Sequence, residues 1–203
     1  MSNRAWQITA PGTITLVDLE QPPQPGPGLV LVRIHAFALN YRDKLVVDHH
    51  PAYTLRAKPN LVPGSDGAGM VEATGSDSVW KTGDRVVFHP NTWKSGYNGR
   101  DFKFDEVMGG GDVDGTFRQY AIVPDSGVFH APAALSMEEA CTLYTAGVTA
   151  YRALHYGDEK VRPGMRVLTQ GTGGVSCYAI MVSFGTTCKM TSLTRPDSCS
   201  RGR

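Results

Sequence analysis

Val167-Leu168-Thr169-Gln170-Gly171-Thr172-Gly173-Gly174-Val175-Ser176 decides how this chain is read. A short β-like run enters a glycine-rich turn, and from Val175 the composition suits the start of a helix. A strand that turns through G-x-G-x-x-[small] into a helix presents backbone N–H groups at a helix N-terminus, where the dipole favours negative charge. Gly171, Gly173 and Gly174 read as glycine for positive φ and for close approach of a pyrophosphate; Val175 opens the helix. Ser176 fills the last small position, where its hydroxyl can donate to phosphate. The pattern implies a dinucleotide, NADP or NAD, and hydride chemistry.

Working downstream, residues from Ser183 on show neither a helical stripe nor the pattern of a second buried strand. Residues 183–203 are therefore expected to form a divergent, disordered tail. Arg195 and Asp197 stand near the distance at which a ribose-reading residue belongs, but with no strand expected before them neither is assigned that role. A complete dinucleotide fold needs several further βα units, so the cofactor domain is expected to be incomplete and to bind its dinucleotide no more tightly than millimolar.

Upstream, Ser136-Met137-Glu138-Glu139 has the capping-box signature and opens an apolar helical stretch through Cys141, Leu143 and Tyr144. From Ile14 to Pro132 the pattern is instead short β-like runs punctuated by glycine and proline, as in a compact antiparallel barrel or sandwich. Leu29 to Ala36 is the clearest strand; Pro22 to Gly28 must be an extended loop, and Gly83-Asp84 turns into the strand Arg85 to Phe88. The polar stretch between His89 and Gly111 predicts a long irregular excursion. These shifts divide the chain into residues 1–132, 133–182 and 183–203.

The composition is that of a globular protein, 203 residues with 41% hydrophobic and 19% charged. A net charge of +1 without charge runs gives no basis for nucleic-acid or membrane partners, and a small-molecule substrate is expected. There is no secretory leader pattern and no apolar run of membrane-spanning length, which predicts a cytoplasmic protein. Cys141, Cys177, Cys188 and Cys199 form no C-x-x-C pair and read as reduced thiols.

Further motifs lie in order along the chain: Ala38-Leu39-Asn40-Tyr41-Arg42-Asp43, Val62-Pro63-Gly64-Ser65-Asp66-Gly67-Ala68-Gly69, Lys81-Thr82-Gly83-Asp84-Arg85-Val86-Val87, Gly115-Thr116-Phe117-Arg118-Gln119-Tyr120 and Thr149-Ala150-Tyr151-Arg152. Together with the glycine turn they resemble the medium-chain dehydrogenase/reductase superfamily over roughly residues 5 to 180. The resemblance implies an α/β plus β architecture, a GroES-like β-rich substrate domain followed by a Rossmann (doubly wound) cofactor domain, with the active site in the cleft between them. A homodimer is the assembly expected of the full-length fold.

Zinc-dependent members of the superfamily carry a cysteine where Asn40 stands, a His-Glu pair where Ser65-Asp66 stands and a cysteine near Thr145. Asn, Ser and Thr do not replace such ligands, and the stretch matching the structural-zinc lobe, His89 to Gly111, has no cysteine. The resemblance narrows to the zinc-independent branch, which is similar to quinone oxidoreductases and enoyl reductases. There the substrate oxygen must be polarised by hydrogen-bond donors.

Asn40 is the first candidate, its amide donating to a carbonyl, and Tyr41 the second, its phenol a proton donor. Thr149 matches a threonine that contacts the nicotinamide end in relatives. Asp43 reads as a salt-bridge or capping partner of its neighbourhood, Asp66 as structural, and the adjacent His49 and His50 as exposed rather than metal-binding. The expected function is transfer of hydride between NAD(P)(H) and a carbonyl, quinone or activated alkene, with secondary metabolism one setting. The alternative is a catalytically inactive GroES-like remnant or partner-binding unit.

Overall fold

The computed structural model describes residues 3–53, 57–90, 103, 105–156, 160–186 and 188–193. Two compact units emerge, Met1–Thr142 and Leu143–Arg203.

The first unit begins with a hairpin, β1 (Arg4–Ala10) and β2 (Thr13–Asp18). Five antiparallel strands come next, in the order β6-β3-β4-β5-β7: β3 (Leu29–Ala38), β4 (Asp66–Thr74), β5 (Arg85–Phe88), β6 (Tyr120–Pro124) and β7 (Val128–His130). The alternating apolar positions of these strands converge on Val30, Val32, Val71, Val86, Phe88, Ala121, Val123 and Val128, closed by Trp80 and Met108. Packing of β-branched side chains on a pleated surface is what such runs favour. The segment Phe117 to Gln119 stitches the hairpin to the sheet: the Trp6 N–H donates to Phe117 O, the Gln119 N–H to Arg4 O and the Ile34 N–H to Gln119 O.

The β3–β4 register places the functional candidates. The last pair is Ala38 with Asp66, so the chain leaving β3 through Leu39 and Asn40 passes the residues that lead into β4. It enters α1 (Tyr41–Val47) with Asn40 as N-cap, and Asp43 closes the cap by accepting the Asn40 N–H at 2.8 Å. Just before β4, Gly64 has φ +98°, and a Cβ there would lie 2.3 Å from the Phe117 ring. Only glycine lets the backbone pass this close while holding positive φ.

The capping box at Ser136 is formed as expected, opening α2 (Met137–Ala140). That helix packs on β3 and β4, and the Arg85 guanidinium donates to Ala133 O at 3.2 Å and to Leu135 O at 2.5 Å. Residues 133–142 thus pack with the β-rich unit, and the division falls ten residues later than the change of periodicity at residue 133.

The second unit opens with a π-helical turn, Leu143–Val148, continuing as α3 (Thr149–His155). Then come β8 (Arg166–Gln170), α4 (Gly174–Gly185) and β9 (Lys189–Leu193). β9 corrects the expectation of a tail without a second strand: it pairs in parallel with β8 from Arg166–Lys189 to Gln170–Leu193. Lys-Met-Thr-Ser-Leu lacks a long apolar run, so its strand character comes from main-chain pairing rather than periodicity. The Lys189 N–H donates to Met165 O at 2.9 Å and extends that ladder, and the adjoining Cys188 is buried. The rest of the expected tail, residues 194–203, lies outside the described residues, as does most of the irregular excursion after His89.

Candidate functional site

Asn40, Ser65 and Asp66 form a polar cluster at the end of the β3–β4 ladder. The Asn40 amide Nδ2 lies 3.1 Å from Asp66 Oδ2 and 3.5 Å from Ser65 Oγ. Ser65 and Asp66 are almost fully buried, and the Thr116 hydroxyl, itself buried, donates to Asp66 O at 2.9 Å. A carboxylate only accepts, so its contact with Asn40 fixes the amide nitrogen inward. The sequence assigned Asn40 a donor role towards a substrate carbonyl; its amide hydrogens are directed first at Asp66 and Ser65. Asp66, read as structural from sequence, is the residue that sets the orientation of Asn40.

Asp43 sits beneath this cluster, only 3% exposed. Burial pushes its carboxyl up to about 6, against the pull of the Asn40 N–H and the Arg42 guanidinium, and the charge of Asp66 adds to the rise. Arg42 reaches Asp43 Oδ1 at 3.4 Å and donates to Met108 O at 3.0 Å, tying α1 to the loop that carries Met108. Cys141, at the end of α2, is buried and pushed up to about 11 by desolvation, with the charges of Asp66 and Glu138 acting in the same direction. Its thiol stays protonated at neutral pH and donates to Glu138 O at 3.1 Å. Tyr41 lies at the first helical position and is 76% exposed, outside the hydrogen-bonded cluster. His49 and His50 are exposed, and His50 Nδ1 accepts the Ala52 N–H at 3.1 Å.

In the second unit, the glycine turn joins β8 to α4. Gly171 has φ +87°, which explains its identity, but Gly173 is the N-cap with φ −71° and Gly174 is the first helical residue. Positive φ, expected at all three, therefore holds at Gly171 alone. A Cβ on Gly174 would lie 3.2 Å from that of Ala146, so this glycine serves contact between α4 and the π-helical turn. A Cβ on Gly173 would meet nothing within 4 Å. Neither conformation nor internal packing demands glycine at Gly173, and the open space beside a helix N-terminus fits the close approach of a pyrophosphate.

The first α4 bond at this end runs from the Cys177 N–H to Gly173 O at 3.0 Å, so the N–H groups of Gly174, Val175 and Ser176 precede it. Ser176, expected to donate to phosphate, turns its hydroxyl to Gln170 O at 3.2 Å and ties the helix to the strand end. Val175 and Thr149 are both exposed in this unit.

Residues 26–133, more than half of the chain, match the family of the alcohol dehydrogenase GroES-like domain. The chain belongs to that family. This medium-chain dehydrogenase/reductase chain is 38% identical over 182 residues to a zinc-type alcohol dehydrogenase-like protein of Schizosaccharomyces pombe, covering 89% of this chain and 52% of the relative. A putative alcohol dehydrogenase from Sinorhizobium meliloti superposes with a TM-score of 0.79 at 32% identity, over 94% of this chain and 56% of that one. A quinone oxidoreductase from Pseudomonas syringae gives 0.72 at 25%, over 95% and 52%. The chain spans about half the length of the curated relatives it matches. Its architecture, a GroES-like unit followed by part of a Rossmann unit, is that of the family.

The donor set at the Asn40 cluster does not fit a catalytic zinc. Such a site needs three nitrogen, sulfur or carboxylate ligands, and here one amide donates to a hydroxyl and to a single carboxylate. Among the described residues no group of three or more His, Cys, Asp or Glu side chains is placed to hold a metal, and no helix is long and apolar enough to cross a membrane.

Proposed function

We propose that this chain carries the substrate unit and the first βαβ unit of a zinc-independent, NAD(P)(H)-dependent oxidoreductase acting on a carbonyl, quinone or activated alkene. The observation that carries the reading is the glycine turn between the parallel strands β8 and β9, with space at Gly173 and the N-terminus of α4 behind it. The nicotinamide cofactor supplies the hydride when bound. The chain's own contribution is the backbone cradle from Gly171 to Ser176, which would hold the pyrophosphate, and Thr149 towards the nicotinamide end.

At the substrate end, Asn40 is the orienting group and Tyr41 the proton donor. Asp66 and Ser65 hold the Asn40 carboxamide in place, so the site begins from a pre-set hydrogen-bonding geometry rather than a Lewis acid. Secondary metabolism is one setting that suits a small oxidoreductase of this kind.

The test is a titration of the isotopically labelled chain with NADPH and NADH, following the amide resonances of Gly171 to Ser176. Expected is a shift of these resonances at millimolar cofactor, and metal analysis of the purified protein showing no stoichiometric zinc. Absence of any shift at the turn would overturn the cofactor reading and favour a partner-binding GroES-like unit; one retained zinc per chain would overturn zinc independence.

A further inference from the structure

We infer that the cavity between β6 and the loop carrying Met108 is a binding site for a small carboxylate with an apolar body, seated on the Arg118 guanidinium. It shares no residue with the Asn40 cluster or the glycine turn.

The cavity measures about 220 Å³ and lies within the first unit. Pro90, Met108, Val113, Ile122 and Pro124 give it an apolar wall, and Arg118 is the permanent cation in its lining. Arg118 also borders a groove beside Trp6 and Phe37. Its Nη2 donates to Asp114 O at 3.3 Å, and Asp114 follows Val113, which lines the cavity and not the groove. The guanidinium end therefore belongs to the cavity.

A guanidinium carries five N–H donors and stays charged in folded proteins. The bond to Asp114 O is the single one that the Arg118 side chain makes among the described residues, and its Nε is buried with no acceptor. Burial lowers the guanidinium from its ordinary value, and the charge of Asp114 opposes this only in part. The Asp114 carboxylate is engaged elsewhere, with Lys58 Nζ and the Val62 N–H, each at 3.0 Å. Glu106, the carboxylate in the cavity lining, is paired with Lys103 at 2.7 Å. Arg118 is thus a desolvated charge held without a carboxylate of its own, an arrangement that proteins otherwise avoid.

A ligand carboxylate matches it, with two oxygens against the planar fork. The rest of the wall decides what the carboxylate is attached to. A hydrated inorganic anion would give up water against Pro90, Met108 and Ile122 and find no donor there, whereas a ring or short branched chain buries apolar surface on them. A cavity of roughly 150 Å³ takes a benzene ring. The larger space here admits a ring together with its carboxylate.

The experiment titrates the full chain, labelled at methionine methyl and amide positions, with benzoate, benzamide and inorganic phosphate at constant ionic strength. Met108 and Ile122 report on the cavity. Expected is a saturable shift of both signals, with half-saturation by benzoate at least about tenfold lower than by its neutral isostere benzamide. Phosphate should move neither signal, and the amides of Asn40, Asp66 and Gly171 to Ser176 should stay in place. Arg118→Met trades a buried charge for an apolar side chain, so its denaturation midpoint should not fall, and it should bind benzoate no better than benzamide.

No saturable shift with benzoate, equal half-saturation by benzoate and benzamide, or displacement of benzoate by phosphate at equal concentration overturns the inference. So do shifts centred on Asn40 and Asp66, or a benzoate preference that survives Arg118→Met. The comparison of benzoate with benzamide is made on the unaltered chain and decides the matter should the variant fail to fold.

Discussion

The Asn40 amide nitrogen stands 3.1 Å from the buried Asp66 carboxylate, a contact that joins the end of β3 to the start of β4. Asn40→Ala takes a donor from Asp66 and removes the N-cap of α1. We expect a loss of about 1–3 kcal/mol in urea denaturation. A double-mutant cycle with Asp66→Asn should give a coupling of about 1 kcal/mol or more; simple additivity would show that the contact does no stabilising work.

Asp43 makes a pH prediction with a definite sign. Its folded value of about 6 lies above the ordinary 3.8, so between these pH values the native state holds more protons than the unfolded chain. Stability contributed by this group is full below about pH 4 and falls as pH rises through 6, by on the order of 3 kcal/mol. Asp43→Asn keeps an acceptor for the Asn40 N–H and should flatten this slope. Denaturation curves between pH 4 and 7 check it, and an unchanged slope in the variant would assign the effect to other groups.

Gly64→Ala should be among the most damaging single substitutions in the first unit. The new methyl group would enter the Phe117 ring while the backbone stays at positive φ. A cost of about 3 kcal/mol or more is expected, read as a lowered urea midpoint. A shift under about 1 kcal/mol would mean that the Phe117 ring yields readily.

At Gly173 stability and binding should part company. Gly173→Ala places its methyl in open space with φ already negative, so the denaturation midpoint is expected to change by less than about 0.5 kcal/mol. The amide shifts induced by NADPH at the turn should weaken severalfold. Loss of stability together with unchanged cofactor response would mark the residue as structural.

Much of the first unit was legible because its signals are local. Val30, Leu31 and Val32 form a continuous buried apolar run in β3, Gly83-Asp84 announces the turn into β5, and Ser136 with Glu139 spells its own cap. The glycine turn was legible for the same reason, although positive φ holds only at Gly171, Gly174 is glycine for its contact with Ala146, and neither reason applies at Gly173. β9 was not legible: a short parallel strand is specified by its neighbour β8, and Lys189 to Leu193 carry little periodicity of their own. The Asn40–Asp66 contact was hidden differently. It depends on the β3–β4 register, with two bulges along the way, and no spacing within either motif discloses which atoms meet.

The stitch between Arg4 and Gln119 bears on the order in which the chain can fold as it is made. The Arg4 N–H donates to Gln119 Oε1 across a separation of 115 residues, and the Gln119 N–H returns to Arg4 O. A hairpin of two strands is marginal alone; the Ile8 N–H can find Leu61 O and the Gly12 N–H Val47 O early, but the Trp6 N–H and Arg4 O have no partner until Phe117 to Gln119 have left the ribosome. During that interval the side of β1 that Phe117 to Gln119 will cover stays an open edge, available for wrong pairing.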